Sequence, residues 1–364
     1  MKYIACFTIL VLTAHAQDEP PDISKLSGKE IYNQFCSRCH GSDGKGQIPE
    51  DMIQNMEAPP PDLTEPYFNS GEKRKSWFRV IKYGGSIEGL SMSMPSWGES
   101  FSDKQIGEMI EHMKTFVPQE DYPQGEVNFL RAHSVTKAFV EQEALLIPTF
   151  TSKEENGVTF IETRTMLYYA NRFAKRFQYE AKIPVQTFSS PTRKEAGLGN
   201  LELGLKYALV DEYRTPWIIS LGFEMELPTG SESKGFSRGT AVAVPYIAAG
   251  IGAGPAEIQG SAKVEAPFDR SKASPELKYG FSVTFIPTDS RLGFFPGFEF
   301  TGTKDLSTSE YFMSLIPKLY IGLTRRGHIA VSVGREIPVS GEKPFDSRWL
   351  VFFLWDYADG GLWW

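Results

Sequence analysis

From residue 142 to the C-terminus, apolar side chains fall on every second position. In 201–209, Leu201, Leu203, Leu205, Tyr207 and Leu209 alternate with Glu202, Gly204, Lys206 and Ala208. In 217–227, Trp217, Ile219, Leu221, Phe223, Met225 and Leu227 oppose Ser220, Gly222, Glu224 and Glu226. A period of two marks a strand with two unlike faces. It predicts about twelve strands, near 142–151, 158–169, 176–187, 199–210, 216–227, 240–251, 255–266, 275–286, 292–302, 312–323, 327–337 and 347–357. Roughly ten residues per strand is the length that crosses a bilayer at a steep tilt.

Alternation alone does not separate a soluble β-domain with its apolar face inside from a barrel with that face outside. The connections do. Counted from the first strand, the odd-to-even connections are long and polar: "SKEENG", "TFSSPTRKEAG", "PTGSESKGFSRG", "DRSKASP", "TKDLSTSE" and "SGEKPFD". The even-to-odd ones are short: "NRFAK", "VDEYRT", "GAGP", "TDSR" and "RRG". A transmembrane barrel has this two-sided asymmetry and an even strand number. The expectation is an antiparallel, outer-membrane type β-barrel over 142–364. Glu202, Lys206, Glu224, Glu226, Lys263, Glu265, Lys278, Glu299, Lys318 and Arg335 would then point inward, as a paired network or as the lining of a small-solute or ion pore. Tyr168, Tyr169, Trp217, Phe285, Phe294, Phe295, Tyr311, Phe312, Trp349, Trp355 and Tyr357 would form interfacial girdles, with Trp364 a candidate terminal aromatic. Pro184, Pro296 and Pro317 fall inside proposed strands and need bulges or rims.

Upstream the apolar period changes to 3.6. In "LSGKEIYNQFCSRCHG", Ile31, Tyr32, Phe35 and Cys39 share a helical face behind the N-cap Ser27, and the cysteines end the helix. "SGEKRKSWFRVIKYGG" reads as a helix capped by Ser70, burying Trp77, Phe78, Val80 and Ile81 and stopping at Gly84-Gly85. A third starts at Ser102, with Ser102 and Gln105 as a capping box and Phe101 and Ile106 as a staple, and stops before Pro118. The expected organisation is a leader at 1–16, a helical domain at 17–117, a linker at 118–141 beginning "PQEDYPQG", and the barrel. The leader follows from Lys2, an apolar run too short to span a bilayer, and Ala14-His15-Ala16, with cleavage before Gln17.

The formal net charge of −7 is uneven: residues 17–124 hold 18 acidic and 11 basic residues, residues 125–364 hold 27 and 26. Nothing in this balance implies nucleic acid as a partner. Of three cysteines, Cys6 leaves with the leader, so the exported chain keeps Cys36 and Cys39 and no disulfide framework.

Those two cysteines lie in "FCSRCHGSDGKG", where Cys36, Cys39 and His40 have the spacing of a c-type haem attachment, with two thiols for the vinyl groups and an imidazole for the iron. A redox dithiol needs a βαβ context that is not present, and a zinc site needs ligands that are not nearby, His112 being about seventy residues away. A second axial ligand is offered by "GLSMSMPSWGESF": Met94, stiffened by Pro95, with Met92 as the fallback. His/Met ligation leaves no open coordination position, which suits an electron carrier rather than a catalyst. His112, His133 and His328 read as ordinary surface or core residues.

Over roughly 25–117 the chain resembles the class I cytochrome c domain, carried by "CSRCHGSDGKG", "APPPDLT", "WFRVIKYGG", "SMPSWG" and "FSDKQIGEMIEHMKTF" in the family's order. The resemblance implies an all-α fold of helices around one covalent haem c. Cys36 and Cys39 would be the thioethers, His40 the proximal and Met94 the distal ligand, with Phe78 and Trp97 beside the ring. The domain order is similar to that of fused outer-membrane cytochrome-porins. The expected function is electron transfer between the haem and a redox partner protein or an extracellular donor or acceptor. The cytochrome would be periplasmic and the barrel seated in outer-membrane lipid. A transport barrel with an accessory haem domain, and a soluble periplasmic redox protein, are the alternatives.

Overall fold

The computed structural model describes residues 22–362 except 55, 289 and 342, so the leader expected at 1–16 and Trp364 lie outside the described residues. The second part is one antiparallel sheet closed on itself. Its strands are β1 (Glu143–Glu155), β2 (Val158–Ala174), β3 (Phe177–Ser189), β4 (Lys194–Leu198), β5 (Leu201–Glu212), β6 (Trp217–Leu227), β7 (Val242–Ala253), β8 (Ala256–Pro267), β9 (Glu276–Phe285), β10 (Gly293–Asp305), β11 (Tyr311–Gly322), β12 (Ile329–Gly341) and β13 (Ser347–Asp356). Each pairs with its sequence neighbour, and β1 pairs with β13 to close the ring. Twelve strands make the wall. The thirteenth, β4, is a short flap within a long connection, paired to β3 at 185–189 where β3 has left β5.

The apolar face is the outer one. Leu203, Leu205, Phe281, Trp349 and Phe353 are among a belt of exposed large side chains around the barrel, the arrangement that lipid requires and water penalises. Of the ten charged residues expected inside, nine are; Arg335 is exposed, on the outward face with its guanidinium over Trp349, because its inward neighbours in β12 are Gly334 and Glu336. Tyr168, Phe295 and Phe312 also depart from expectation: they face the lumen, whereas Tyr169, Phe285, Phe294, Tyr311 and Trp349 are exposed. The prolines sit where a ladder donor is not needed. Pro184 lies at the switch of β3 from β5 to β4, Pro296 precedes the first pair with β9, and Pro317 sits in the lapse of β11–β12 pairing between Leu315 and Lys318.

Part of the segment read as a linker is inside the barrel. Residues 127–141 fill the lumen at the end where β2–β3, β5–β6 and β7–β8 are joined by two to four residues, and the wall satisfies their backbone. The contrast between the two ends is weaker than expected, since "SKEENG" at the other end is mostly strand and closes in a two-residue turn between Glu155 and Val158. Glu299, fully buried, accepts from the N–H groups of His133 (2.6 Å), Ser134 (2.8 Å) and Val135 (3.3 Å), and pairs with Lys318 at 3.1 Å. Glu257 accepts from Leu130 N–H, Gln178 from Glu141 N–H, and Ser261 from Thr136 N–H. Gln259, Ser220, Lys206 and Arg172 donate to the carbonyls of Leu130, Ala138, Phe139 and Val140. Apolar contacts complete the plug: Val127, Phe129, Phe139 and Val140 pack on Ala208, Ile218, Tyr246 and Ala248, and Leu130 joins Tyr168, Phe295, Tyr320 and Phe352.

The first part holds α1 (Gly28–Ile31), one π turn (Tyr32–Cys36), α2 (Ser37–His40), α3 (Glu50–Ile53), α4 (Pro66–Gly71), α5 (Arg74–Tyr83) and α6 (Asp103–Lys114). Both capping boxes form, Ser27 with Glu30 and Ser102 with Gln105. The helix through the cysteines runs on to His40 and ends at Gly41, whose φ of +77° lets the chain turn away. Ser70 is not a cap: it is buried in α4 and its hydroxyl donates to Pro66 O, while α5 begins behind Lys73. The core is Ile31, Tyr32, Leu63, Trp77, Ile81, Phe101, Ile106, Met109, Ile110 and Met113. Gly28 allows α1 and α6 to cross at contact distance, since a Cβ there would lie 2.3 Å from the Glu108 carbonyl carbon.

Two outcomes follow from this packing. Gly28→Ala forces the two helices apart and lowers the thermal stability of the first domain by about 1–3 kcal/mol, the usual cost of overpacking, read from the thermal loss of its helical circular dichroism. With the lumen filled by 127–141, the intact chain gives no steady single-channel current in a planar bilayer, whereas Glu299→Ala, which deprives three N–H groups of their acceptor, gives intermittent current with its barrel still heat-modifiable.

Candidate haem centre

The π turn widens the helix from Tyr32 through Cys36, and such turns recur at functional positions. Tyr32, which opens that turn, donates from its hydroxyl to Gly41 O at 2.7 Å and pins the helix end that carries Cys39 and His40. Cys36 and Cys39 are free thiols, both half-buried. Burial first, and the neighbouring Cys39 second, push the Cys36 thiol up to about 11. A redox dithiol needs the opposite, a thiol lowered toward neutrality, so this environment speaks against that alternative. Burial lowers the His40 pKa, favouring the neutral imidazole that binds metals, and its Nδ1 is buried without a hydrogen-bond partner.

Met94 is half-buried and packs, together with Cys36, Phe35, Phe78 and Trp97, against the core formed by α1, α5 and α6. Its loop hangs on the end of α5. Gly85 N–H donates to Met94 O (2.9 Å), Trp97 N–H to Ile81 O (2.9 Å) and Gly98 N–H to Lys82 O (3.1 Å). Gly84, at φ +88°, and Gly85 leave room for it: a Cβ on Gly85 would meet Ser91 O at 2.3 Å. Trp97 stacks on Phe101 at 5.4 Å, and Phe35 meets both rings edge-on. Met92, by contrast, is 78% exposed, its N–H held by the Glu57 carboxylate. The same contact, with Glu57 N–H donating to Ser93, ties down the irregular loop after α2, which Leu63 N–H fastens to Gly44 O.

The donor set fits a c-type haem: paired thiols at a helix end, an adjacent neutral imidazole, and a thioether whose loop is fixed against the same core. The other histidines among the described residues lie elsewhere. His112 packs edge-on to Tyr32, His133 is in the lumen bonded to Ser332, and His328 sits beside Thr324 in the last short turn.

This domain is seated on the short-turn mouth of the barrel. From the turn between β11 and β12, Arg325 donates to Ser86 O (2.6 Å) and Arg326 pairs with Glu72 (3.1 Å). Lys175, between β2 and β3, pairs with Asp121 (2.6 Å), and the guanidinium of Arg74 lies 4.0 Å over Tyr213, between β5 and β6. Gly125 packs directly on the backbone of Gly71, where any Cβ would sit 2.0 Å from an oxygen. Sequence reasoning missed this seat and the plug beneath it. The available signal was composition, since 127–140 carries Val127, Phe129, Leu130, Val135, Phe139 and Val140, more apolar than a solvated linker.

The family model described as "Cytochrome C oxidase, cbb3-type, subunit III" matches residues 24–113. A cytochrome c family domain is thus fused to a twelve-stranded barrel, and its family implies binding of haem c. No curated protein matches the chain at significance. Among solved structures, an outer membrane channel from Pseudomonas putida F1 is similar at 11% identity, TM-score 0.46, covering 62% of this chain and 99% of that one. The KdgM porin in complex with disordered oligogalacturonate aligns at 12% identity and TM-score 0.40, over 58% and 98%. Outer membrane phospholipase A from Escherichia coli aligns at 12% and 0.35, over 59% and 96%.

Replacing Arg325 and Arg326 together by alanine removes about 1 kcal/mol of seating. The expected outcome is faster amide exchange in residues 72–90 with unchanged heat-modifiable migration of the barrel.

Proposed function

We propose that this chain is a monohaem electron-transfer protein of the outer membrane, with its cytochrome domain held at the periplasmic mouth of its own barrel. One observation carries the reading: the helix end bearing Cys36, Cys39 and His40 belongs to a domain bonded to the short-turn end of a closed barrel whose outer face is apolar. Short turns are the periplasmic end of such barrels. Cys36 and Cys39 would hold the haem through their thiols, and His40 and Met94 would supply the ligands to its iron. Bound there, the haem supplies a one-electron iron couple, and His/Met ligation sets it at a raised potential. Phe78 and Trp97, packed on the core beside Cys36 and Met94, would exclude water from a haem held there. The plug favours an anchor over a transport barrel, because backbone and side chains occupy the lumen that a solute would use. The electron partner is a redox protein or small carrier reaching the periplasmic face; one haem on one side does not bridge about 30 Å of hydrocarbon.

Fractionation with haem staining tests the assignment. The haem-stained chain should stay in membranes through carbonate washing and migrate faster unheated than boiled; release by carbonate with no heat-modifiability rejects the membrane barrel. Met94→Ala should abolish the weak far-red charge-transfer band of methionine-ligated ferric haem while Met92→Ala leaves it. Persistence of the band in Met94→Ala moves the ligand elsewhere.

A further inference from the structure

On the far side of the plug, toward the long loops, the lumen is a cavity of about 680 Å³, closed below by Arg131 to Lys137 and walled by charged side chains. Most of these are spent on one another. Lys182 reaches Glu224 at 2.8 Å, Glu180 at 3.2 Å and Glu202 at 3.5 Å; Arg238 spans Glu226 and Glu265; Arg348 pairs with Glu336. Glu162, exposed, stands without an ion pair among the described residues.

Lys263 is the exception among the cations. In the register of β8 and β9 it stands directly opposite Lys278, and like charges facing each other across a ladder are destabilising unless something lies between them. Lys278 is neutralised by Glu265 (2.7 Å) and Glu276 (3.0 Å). Lys263 lies in the field of Glu202 and Glu265 without reaching hydrogen-bond or ion-pair distance of either. Glu202 is already taken by Arg164 (2.9 Å) and Lys182, and Arg164 Nε is buried with no acceptor. The unspent hydrogen-bonding capacity at this level of the cavity is mainly donor: the Lys263 ammonium and the Arg164 guanidinium stand beside carboxylates of which, among the described residues, Glu162 alone is without an ion pair.

We propose that this vestibule binds a small multivalent anion, a phosphate or a di- or tricarboxylate, between Lys263 and Arg164, entering from the long-loop side and stopping at the plug. The anion separates Lys263 from Lys278 and faces the part of the Arg164 guanidinium that stays exposed to the cavity, its side chain being 41% accessible. It reaches the chain from the opposite end to the haem, so the site stands whether or not the haem assignment does.

The test is isothermal titration of the full haem-loaded chain in detergent at low ionic strength, with inorganic phosphate and citrate as separate probes. The expected result is saturable one-to-one binding of at least one probe, weakened about tenfold by Lys263→Gln, the loss of one charge-assisted hydrogen bond, and restored by Lys263→Arg. Arg164→Gln should weaken it similarly, and Lys153→Gln, a rim charge outside the cavity, should not. Heat-modifiable migration confirms that each variant has its barrel. Which probe binds tells phosphate from carboxylate recognition. No saturable binding of either by the wild-type chain overturns the site, and so does equal weakening by Lys153→Gln, which would make the effect one of overall charge.

Discussion

A segment of irregular backbone placed inside a barrel must find a partner for every N–H and C=O it brings, and that requirement governs this molecule. The carboxylate of Glu299 takes three consecutive N–H groups of the plug and is itself balanced by Lys318. A buried ion pair without such hydrogen bonds is a poor bargain; here the pair stands because it organises main chain that would otherwise be unsatisfied. Glu257, Gln259, Gln178, Ser220, Lys206 and Arg172 continue the same service around the wall. Much of the lumen's polarity at that end is thus explained by the plug it holds.

The plug also decides where the cytochrome domain can be. It leaves the barrel through the short-turn mouth at Val127, and within two residues Gly125 lies against the backbone of Gly71. The domain is consequently held by a taut connection as well as by Arg325, Arg326 and Lys175, and a free tether is not the right picture. On the proposed reading this places the haem domain at a fixed face of the membrane, where one diffusing partner after another can meet it. The charged vestibule on the other side of the plug is a separate compartment with separate chemistry.

The strand pattern was readable because the barrel obeys one local rule throughout. Each of the twelve wall strands lies within a few residues of the alternating runs, since lipid outside and polar side chains inside enforce a period of two along every strand. The exceptions have local causes. Arg335 falls on the outward face because Gly334 and Glu336 hold the inward positions, and Tyr168 and Phe295 turn inward to pack on Leu130 of the plug. In the helical part both capping boxes were legible from residue type, whereas Ser70 misled because Pro66, four residues before it, starts a short helix of its own. Cys36, Cys39 and His40 could be singled out by spacing alone. Pro95 favours Met94 over Met92 in the sequence itself, and the loop hung on α5 adds that Met94 is half-buried whereas Met92 is exposed; the plug could not be read because its hydrogen bonds run to residues up to 199 positions away.

The central claim is that the cytochrome domain sits on the periplasmic mouth of a barrel that crosses the outer membrane. Limited proteolysis of cells followed by haem staining tests it most directly. The account predicts that protease added to intact cells leaves the haem-stained domain whole and that the same protease cleaves it once the outer membrane is permeabilised. Loss of the haem-stained domain from intact cells, with periplasmic markers untouched, would contradict it.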